Sequence, residues 1–411
     1  MHRKAEILTP RVEGKPTICV TAVDVFGFES VAEQGLATVS VVCEPDENLS
    51  FHVNSQLKHY ILQDYLSAWL PIMGSFADTL TYVDCFAGTG ICDFNGTLAD
   101  GSPLVALRTI NRFLREAPPT VRRPSKVNVV FVEVKPERHG QLEAAIHKFA
   151  EAEQLDNRIS CSVLRDDAQS ALSQILPQTS PTAPAFYFID PNYRLPDMKL
   201  MRQLISRKKT EVFANFMFYE IVRNMANPLD NENMIALFGD DQYQTIDFGA
   251  GSDHYAWSKV IDFYAMRTGA QYYIPFQVCF GPDENARLQG RIKYALIHLS
   301  NHFTAFDKML TAMHKNSEPG NSLRVSLGPT LFPTLDDNEL TNRVETKYQR
   351  TGIRIPFDVL RKENWRFYAS EKSWRHCLKD LMKKKLVQFH PVSSKRHGAV
   401  SGDDIVEFLK E

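Results

Sequence analysis

Five short apolar runs of strand character, at 80–83, 127–132, 159–164, 185–189 and 212–216, alternate with stretches whose apolar residues recur at helical spacing, at 104–114, 138–152, 168–175 and 197–205. Strand and helix repeating at this distance is the pattern of βαβ crossovers. It predicts an α/β fold with a mostly parallel sheet covered on both faces. In such a sheet ligands bind beyond the carboxyl ends of the strands, so the residues directly after each run carry the functional information. Ahead of the first strand, Leu57, Ile61, Leu62, Tyr65, Leu66, Trp69 and Leu70 predict an amphipathic helix that Pro71 and Gly74 bring to an end.

At 411 residues the chain is long enough for two or three domains. Residues 1–50 mix β-branched runs with glycine and acidic punctuation and predict a small N-terminal β appendage; 51–335 hold the α/β domain, and 342–411 a separate basic module. The net charge of -2 hides this division, because the residues from Asn342 onward contain 16 Lys/Arg against 9 Asp/Glu. Such a split points to one module facing an anionic partner. Seven scattered cysteines with no CxxC pair, a charged and proline-bearing N-terminus, and the lack of any apolar window of about 18 residues together predict a reduced, cytoplasmic protein with no membrane insertion. His254, His298, His302 and His314 lack partners at metal-ligand spacing, so no metal site is expected. No GxSxG, GxxxxGKS or HExxH string occurs, which argues against serine-hydrolase, P-loop and zincin chemistry.

After the first strand comes Asp84-Cys85-Phe86-Ala87-Gly88-Thr89-Gly90. The two glycines let the backbone turn tightly and approach a ligand, and Asp84 at the strand tip can accept from an ammonium or hydroxyl. A glycine turn of purely structural origin would give the same string. Glu133 ends the second strand, where an acidic side chain of a dinucleotide-like fold receives the ribose hydroxyls. Asp166 and Asp167 follow the third; one suits an adenine amine, and the alternative for either is an N-cap of the following helix. The fourth strand runs into Asp190-Pro191-Asn192-Tyr193, which puts a carboxylate, a rigid turn and an aromatic ring at one tip. These are the parts a planar amine substrate needs for hydrogen bonding and stacking, although an ordinary turn accounts for Pro191-Asn192 as well.

In this order the FxGxG loop, the acidic residue, the aspartate and Asp-Pro-Asn-Tyr resemble the amino-methyltransferases of nucleobase exocyclic nitrogens, whose last motif is Asp or Asn-Pro-Pro-Tyr/Phe. More specifically, residues 58–69 (KHYILQDYLSAW), 82–90 (YVDCFAGTG), Gly101-Ser102-Pro103, Phe188-Ile189-Asp190-Pro191 and Asn215-Phe216-Met217 are similar to the three-Cys-motif partner proteins. The similarity spans 58–313 and takes in Tyr294-Ala295-Leu296-Ile297, His302 and Met309. It implies a Rossmann-like methyltransferase core with S-adenosylmethionine as cofactor. Asp84, Phe86, Ala87, Gly88, Gly90, Glu133 and one of Asp166 and Asp167 would hold it, and Asp190, Pro191, Asn192 and Tyr193 would position the amine. It also implies a radical S-adenosylmethionine protein with the three-Cys motif as a partner; this chain has no CxxxCxxC. Asn192 stands where the amino-methyltransferases have a second proline, which loosens the turn. Two functions follow: methyl transfer to an exocyclic amine of a nucleic-acid base, or a non-catalytic binding and targeting subunit of the radical partner.

Toward the C-terminus basic and aromatic residues interleave. Leu378, Leu381 and Met382 form an apolar stripe, with Arg375, Lys379 and Lys383 on another face and Lys384 beyond them. Strands at 386–389 and 405–408 would flank a basic loop holding Lys395 and Arg396. A helix followed by such a strand pair predicts a winged-helix-like module whose Arg375, Lys379, Lys383, Lys384, Lys395 and Arg396 contact nucleic-acid phosphates. A solvated helix face serving as a protein docking surface is the alternative.

Overall fold

The computed structural model describes residues 53–94, 96–225, 227–247, 253–280, 291–317, 337–392 and 402–410, together with Leu288 and Arg324–Val325. The expected N-terminal appendage at 1–50 and the basic loop with Lys395 and Arg396 lie outside the described residues. The chain divides into two compact units, Met1–Pro191 with Leu195–Thr210, and Asn192–Arg194 with Glu211–Glu411.

In the first unit, α1 (Val53–Gly74) leads into β1 (Thr79–Asp84), and a small antiparallel hairpin follows, β2 (Ile91–Phe94) with β3 (Thr97–Asp100). Then α2 (Ser102–Glu116), β4 (Lys126–Val132), α3 (Pro136–Glu153), β5 (Ile159–Leu164), α4 (Ala168–Gln178), β6 (Ala185–Ile189) and α5 (Met198–Ile205) alternate. The strands are parallel in the order β6-β1-β4-β5, so the first strand in sequence lies inside the sheet and the chain moves outward from it in both directions. Every residue of β6, and all of β1 except Thr79, is buried, which is why these strands read as continuous apolar runs rather than alternating ones.

Helix α1 passes through Pro71 instead of stopping before it. Proline removes the hydrogen bond to the carbonyl four residues back, but that carbonyl belongs to the exposed Ser67, where water can serve it. On the other side Leu66, Trp69, Leu70 and Met73 are buried and hold the last turn in place. Tyr65 and Trp69 pack on Phe186 of β6 at ring-centroid distances of 5.4 and 5.9 Å.

The second unit contains β7 (Thr210–Phe216), α6 (Phe218–Met225), α7 (Asn231–Phe238), α8 (Asp253–Thr268), β8 (Tyr272–Cys279), β9 (Ile292–Ser300), α9 (Phe303–Lys315) and the short β10 (Arg324–Val325). Here β9 lies antiparallel between β7 and β8, and β10 pairs parallel with β8. The same unit continues through α10 (Asp337–Tyr348), β11 (Arg354–Pro356), α11 (Phe357–Glu363), α12 (Glu371–Lys383), β12 (Val387–His390) and β13 (Ile405–Phe408). The last three strands form an antiparallel sheet in the order β11-β13-β12 over a core that includes Leu340, Val344, Phe357, Trp374, Leu378, Leu381 and Phe408.

On α12 the apolar stripe differs from expectation. Trp374, Cys377, Leu378 and Leu381 are buried, whereas Met382 is 41% exposed, because it falls outside the narrow arc that faces the sheet.

Candidate functional site

The register of the first unit brings three acidic strand tips together. Asp84 ends β1 opposite Phe131 of β4 on one side and Phe188 of β6 on the other. Glu133 and Asp190 each lie two residues beyond those partners, and neighbouring strands are about 4.8 Å apart, so the Asp84 tip sits between the other two. The loop after β1 is tied to both neighbours: Cys85 N–H donates to the Phe188 carbonyl and Ala87 N–H to the Val132 carbonyl, each at 2.9 Å.

Gly88 (φ 63°) and Gly90 (φ 77°) have left-handed backbone conformations that L side chains rarely adopt. They differ in surroundings. A Cβ on Gly88 would meet nothing within 4 Å, whereas one on Gly90 would come within 3.0 Å of Leu142 Cδ1, so Gly90 serves close packing and Gly88 borders open space. The Gly88 N–H donates to Glu133 Oε2 at 3.1 Å and the Lys135 N–H to Glu133 Oε1 at 2.8 Å, which locks the Glu133 carboxylate in place. A carboxylate has about four acceptor positions, so both oxygens keep capacity for hydroxyl donors.

Asp84 is fully buried. Its Oδ1 accepts from the Phe86 N–H at 3.2 Å, while its Oδ2 has no hydrogen-bond partner. Burial pushes this carboxyl up from an ordinary 3.8 to about 7; the nearby Ser102 side chain and the Phe86 N–H pull it back, the Asp190 charge adds to the rise and Lys58 opposes it.

Asp190 forms an ion pair with Lys58 of α1, whose side chain is 10% exposed. The adjacent His59 is buried and its imidazole is pushed down to about 3, by burial first and by the Lys58 charge second, so it is neutral at physiological pH. The β2–β3 hairpin leaves the glycine loop and returns at Gly101, whose N–H donates to the Gly90 carbonyl at 2.8 Å. Cys92 on this hairpin lies within electrostatic reach of Lys58, Asp190 and Asp84, which places β2 beside the same cluster.

The remaining expected site residues fall as follows. Asp167 is the N-cap of α4, accepting from the Ser170 N–H at 3.0 Å, and the Ser170 side chain first and this N–H after it hold its carboxyl below the usual range. Asp166 accepts from Gln174 Nε2 at 2.8 Å. In the second unit, Tyr193 is 44% exposed and its hydroxyl accepts from Asn224 Nδ2 at 2.8 Å. Asn192 is exposed.

On α12, Arg375 is half-buried, donates to Glu371 Oε1 at 2.9 Å and lies 5.3 Å from the Phe357 ring. Lys383 pairs with Asp380 and Lys384 with Glu345, each at 2.7 Å, and both pairs are largely solvated. The outward-facing line is instead Lys372, His376, Lys379 and Lys383, all exposed and spaced three or four residues apart. Among the described residues there is no metal-ligating group of three or more, and no helix is long and apolar enough to cross a membrane.

Lys58, His59 and Ser102 have no role that the sequence by itself assigns. For Lys58 a signal was present: it stands at the spacing of the buried positions Leu62, Tyr65 and Trp69, a charge on the apolar side of an amphipathic helix.

No family model and no curated protein matches the chain. Among solved structures, a protein of Legionella pneumophila is 13% identical over 63% of this chain and 88% of its own, with a TM-score of 0.35. The Trm1 protein of Pyrococcus horikoshii, solved with S-adenosyl-L-methionine, is 8% identical over 85% of this chain and 90% of its own, at 0.32. A SAM-dependent methyltransferase of Agrobacterium tumefaciens is 13% identical over 60% of this chain and 62% of its own, at 0.30. Scores this low leave the strand order as the ground for the fold. With its parallel strands in the order fourth-first-second-third, the first unit has a Rossmann-like α/β core.

Proposed function

We propose that this chain is an S-adenosylmethionine-dependent methyltransferase acting on an exocyclic amine of a nucleic-acid base. The observation that carries the reading is the fully buried Asp84 Oδ2, which has no hydrogen-bond donor although it lies between Glu133 and Asp190 at the strand tips. A buried acceptor left unpaired costs about 1–3 kcal/mol, and the ammonium of an amino-acid moiety would supply the missing donor. The residues present fit such a cofactor: Glu133 for ribose hydroxyls, the uncrowded Gly88 for close approach, and Asp166 or Asp167 for the adenine amine. When bound, S-adenosylmethionine supplies an electrophilic methyl group. Asp190 then accepts a hydrogen bond from the target amine and orients it.

The elements from α10 to β13, with a three-stranded antiparallel sheet behind α12, support a winged-helix reading of 342–411. On that reading the exposed Lys379, Lys383 and Lys384 contact nucleic-acid phosphates, because solvated ion pairs are worth at most about 1 kcal/mol and exchange readily for a phosphate. Asn192 favours a second reading, that the chain is a non-catalytic targeting subunit of a radical S-adenosylmethionine protein, as its resemblance to the three-Cys-motif partner proteins implies.

Calorimetry with S-adenosylmethionine, followed by methyl transfer to mixed DNA and RNA, separates these readings. The enzyme reading expects binding and turnover, with Asp190→Ala abolishing transfer while cofactor affinity stays within about threefold. Absence of cofactor binding refutes the enzyme reading; binding without turnover on any substrate leaves the subunit.

A further inference from the structure

The Lys58–Asp190 ion pair is a poor choice for stability. Ordering a lysine side chain costs up to about 2 kcal/mol of rotamer entropy, and desolvating two charges frequently costs more than their attraction returns. A leucine or methionine at 58 would continue the buried line of Leu62, Tyr65 and Trp69 with no charge to desolvate. The pair therefore calls for another explanation, and the charges around it supply one.

Asp84 and Asp190 stand on adjacent strand tips; the Asp190 charge contributes to the rise at Asp84, and Lys58 acts against it. His59 cannot take over, since burial and the Lys58 charge keep it neutral. Lys58 thus supplies positive charge at the tip of β6 and engages Asp190 Oδ2. We propose that Lys58 is a positioning residue for Asp190: from α1 its ammonium fixes the orientation of the carboxylate at the reacting end of the site. Asp190 then meets the target amine as a preorganised acceptor rather than as a mobile base. The inference rests on the methyltransferase reading above.

Two ligands test it without turnover. S-adenosylhomocysteine has a bare thioether at the reacting end, and sinefungin has an ammonium there. In Lys58→Met, S-adenosylhomocysteine should bind within about twofold of wild type, while sinefungin should bind about tenfold tighter, equivalent to about 1.4 kcal/mol, because Asp190 no longer shares its charge with Lys58. Lys58→Arg should keep both affinities near wild type. Adding Asp190→Asn to Lys58→Met should erase the sinefungin gain.

Equal shifts for the two ligands in Lys58→Met, or no shift for either, overturn the positioning role and leave Lys58 as packing. If Lys58→Met does not fold, Lys58→Gln, which keeps a polar contact, provides the same comparison. A wild-type protein that binds neither ligand sinks the cofactor reading and this inference with it, whereas one that binds both and fails only in the variants sinks this inference alone.

Discussion

Replacing Asp84 by Asn should stabilise the protein at neutral and alkaline pH while weakening its hold on ligand. The Asp84 carboxyl is raised from 3.8 to about 7 in the folded state, chiefly by burial, so between those values the folded protein binds a proton that the unfolded chain has released. The sign follows directly. The stability associated with this group is fully present below about pH 4 and is lost as the pH rises through about 7. At 1.36 kcal/mol per unit, a rise of about three units amounts to roughly 4 kcal/mol withheld from the wild type above pH 7. Asn is nearly isosteric and carries no charge, so Asp84→Asn should lack this slope.

The assay is a pair of chemical-denaturation or thermal-melt series from pH 4 to pH 8.5 without ligand. The difference between variant and wild type isolates the group, because His59 and the other titrating side chains are common to both. It should be near zero at pH 4, grow through the interval and level off above pH 7 in favour of the variant. At about 2–4 °C per kcal/mol for a domain of this size, even half the full value separates the melts by several degrees. A variant less stable than wild type at pH 8, or a difference that does not change with pH, would refute the account of Asp84 as a buried carboxylate strained by its surroundings. A site that gains stability on losing a functional group is the expected signature of a position kept for binding.

Two further outcomes concern the second unit. Arg361 is almost fully buried, pairs with Asp307 of α9, lies 3.5 Å from Glu371 and rests over the Phe303 and Phe357 rings. Arg361→Ala should cost about 3–5 kcal/mol, because the mostly buried Asp307 loses its partner, and should alter the fluorescence of Trp365, which packs on Tyr273 at 5.0 Å and Phe306 at 5.7 Å; an unchanged melt would show that the pair carries no net stability. For the basic helix, Lys379→Ala should lower the slope of log affinity against log salt for nucleic acid by about one, whereas Lys362→Ala, from α11, serves as the control and should not. Equal slopes in all three proteins would remove α12 from the interface.

Much of this architecture was legible because buried parallel strands need no partner residue to declare themselves. The strands at Ile159–Leu164 and Ala185–Ile189 coincide with their apolar runs, and the helices between them follow their hydrophobic spacing to within a few residues. The β2–β3 hairpin was harder to read. It carries a turn signal in Asn95-Gly96, with Gly96 at φ 84°, but its four-residue strands are too short for alternation to stand out, and Leu98 is exposed. Of the small three-stranded sheet of the second unit, β11 is not legible in the sequence, because it is three residues long and contains Pro356.

The chemistry of the site was legible only in part, and the reason lies in how charge is distributed in a fold. Asp84, Glu133 and Asp190 announce themselves by standing at the ends of apolar runs, a local property of the sequence. Their electrostatic state is not local. Lys58 reaches Asp190 across 132 residues of chain, and only the docking of α1 on β6 through Tyr65 and Trp69 brings the two together. The same holds on α12, where Arg375 looks like a member of a basic face until Glu371 and the Phe357 ring enclose it, while Lys372 and His376 turn outward. Residue type and position in a strand–helix alternation thus locate where chemistry happens. Which groups there are charged, and which are already engaged, is decided by pairs that only tertiary packing creates, so the ligand-pair measurement on Lys58 and the pH series on Asp84 probe what the sequence order by itself leaves open.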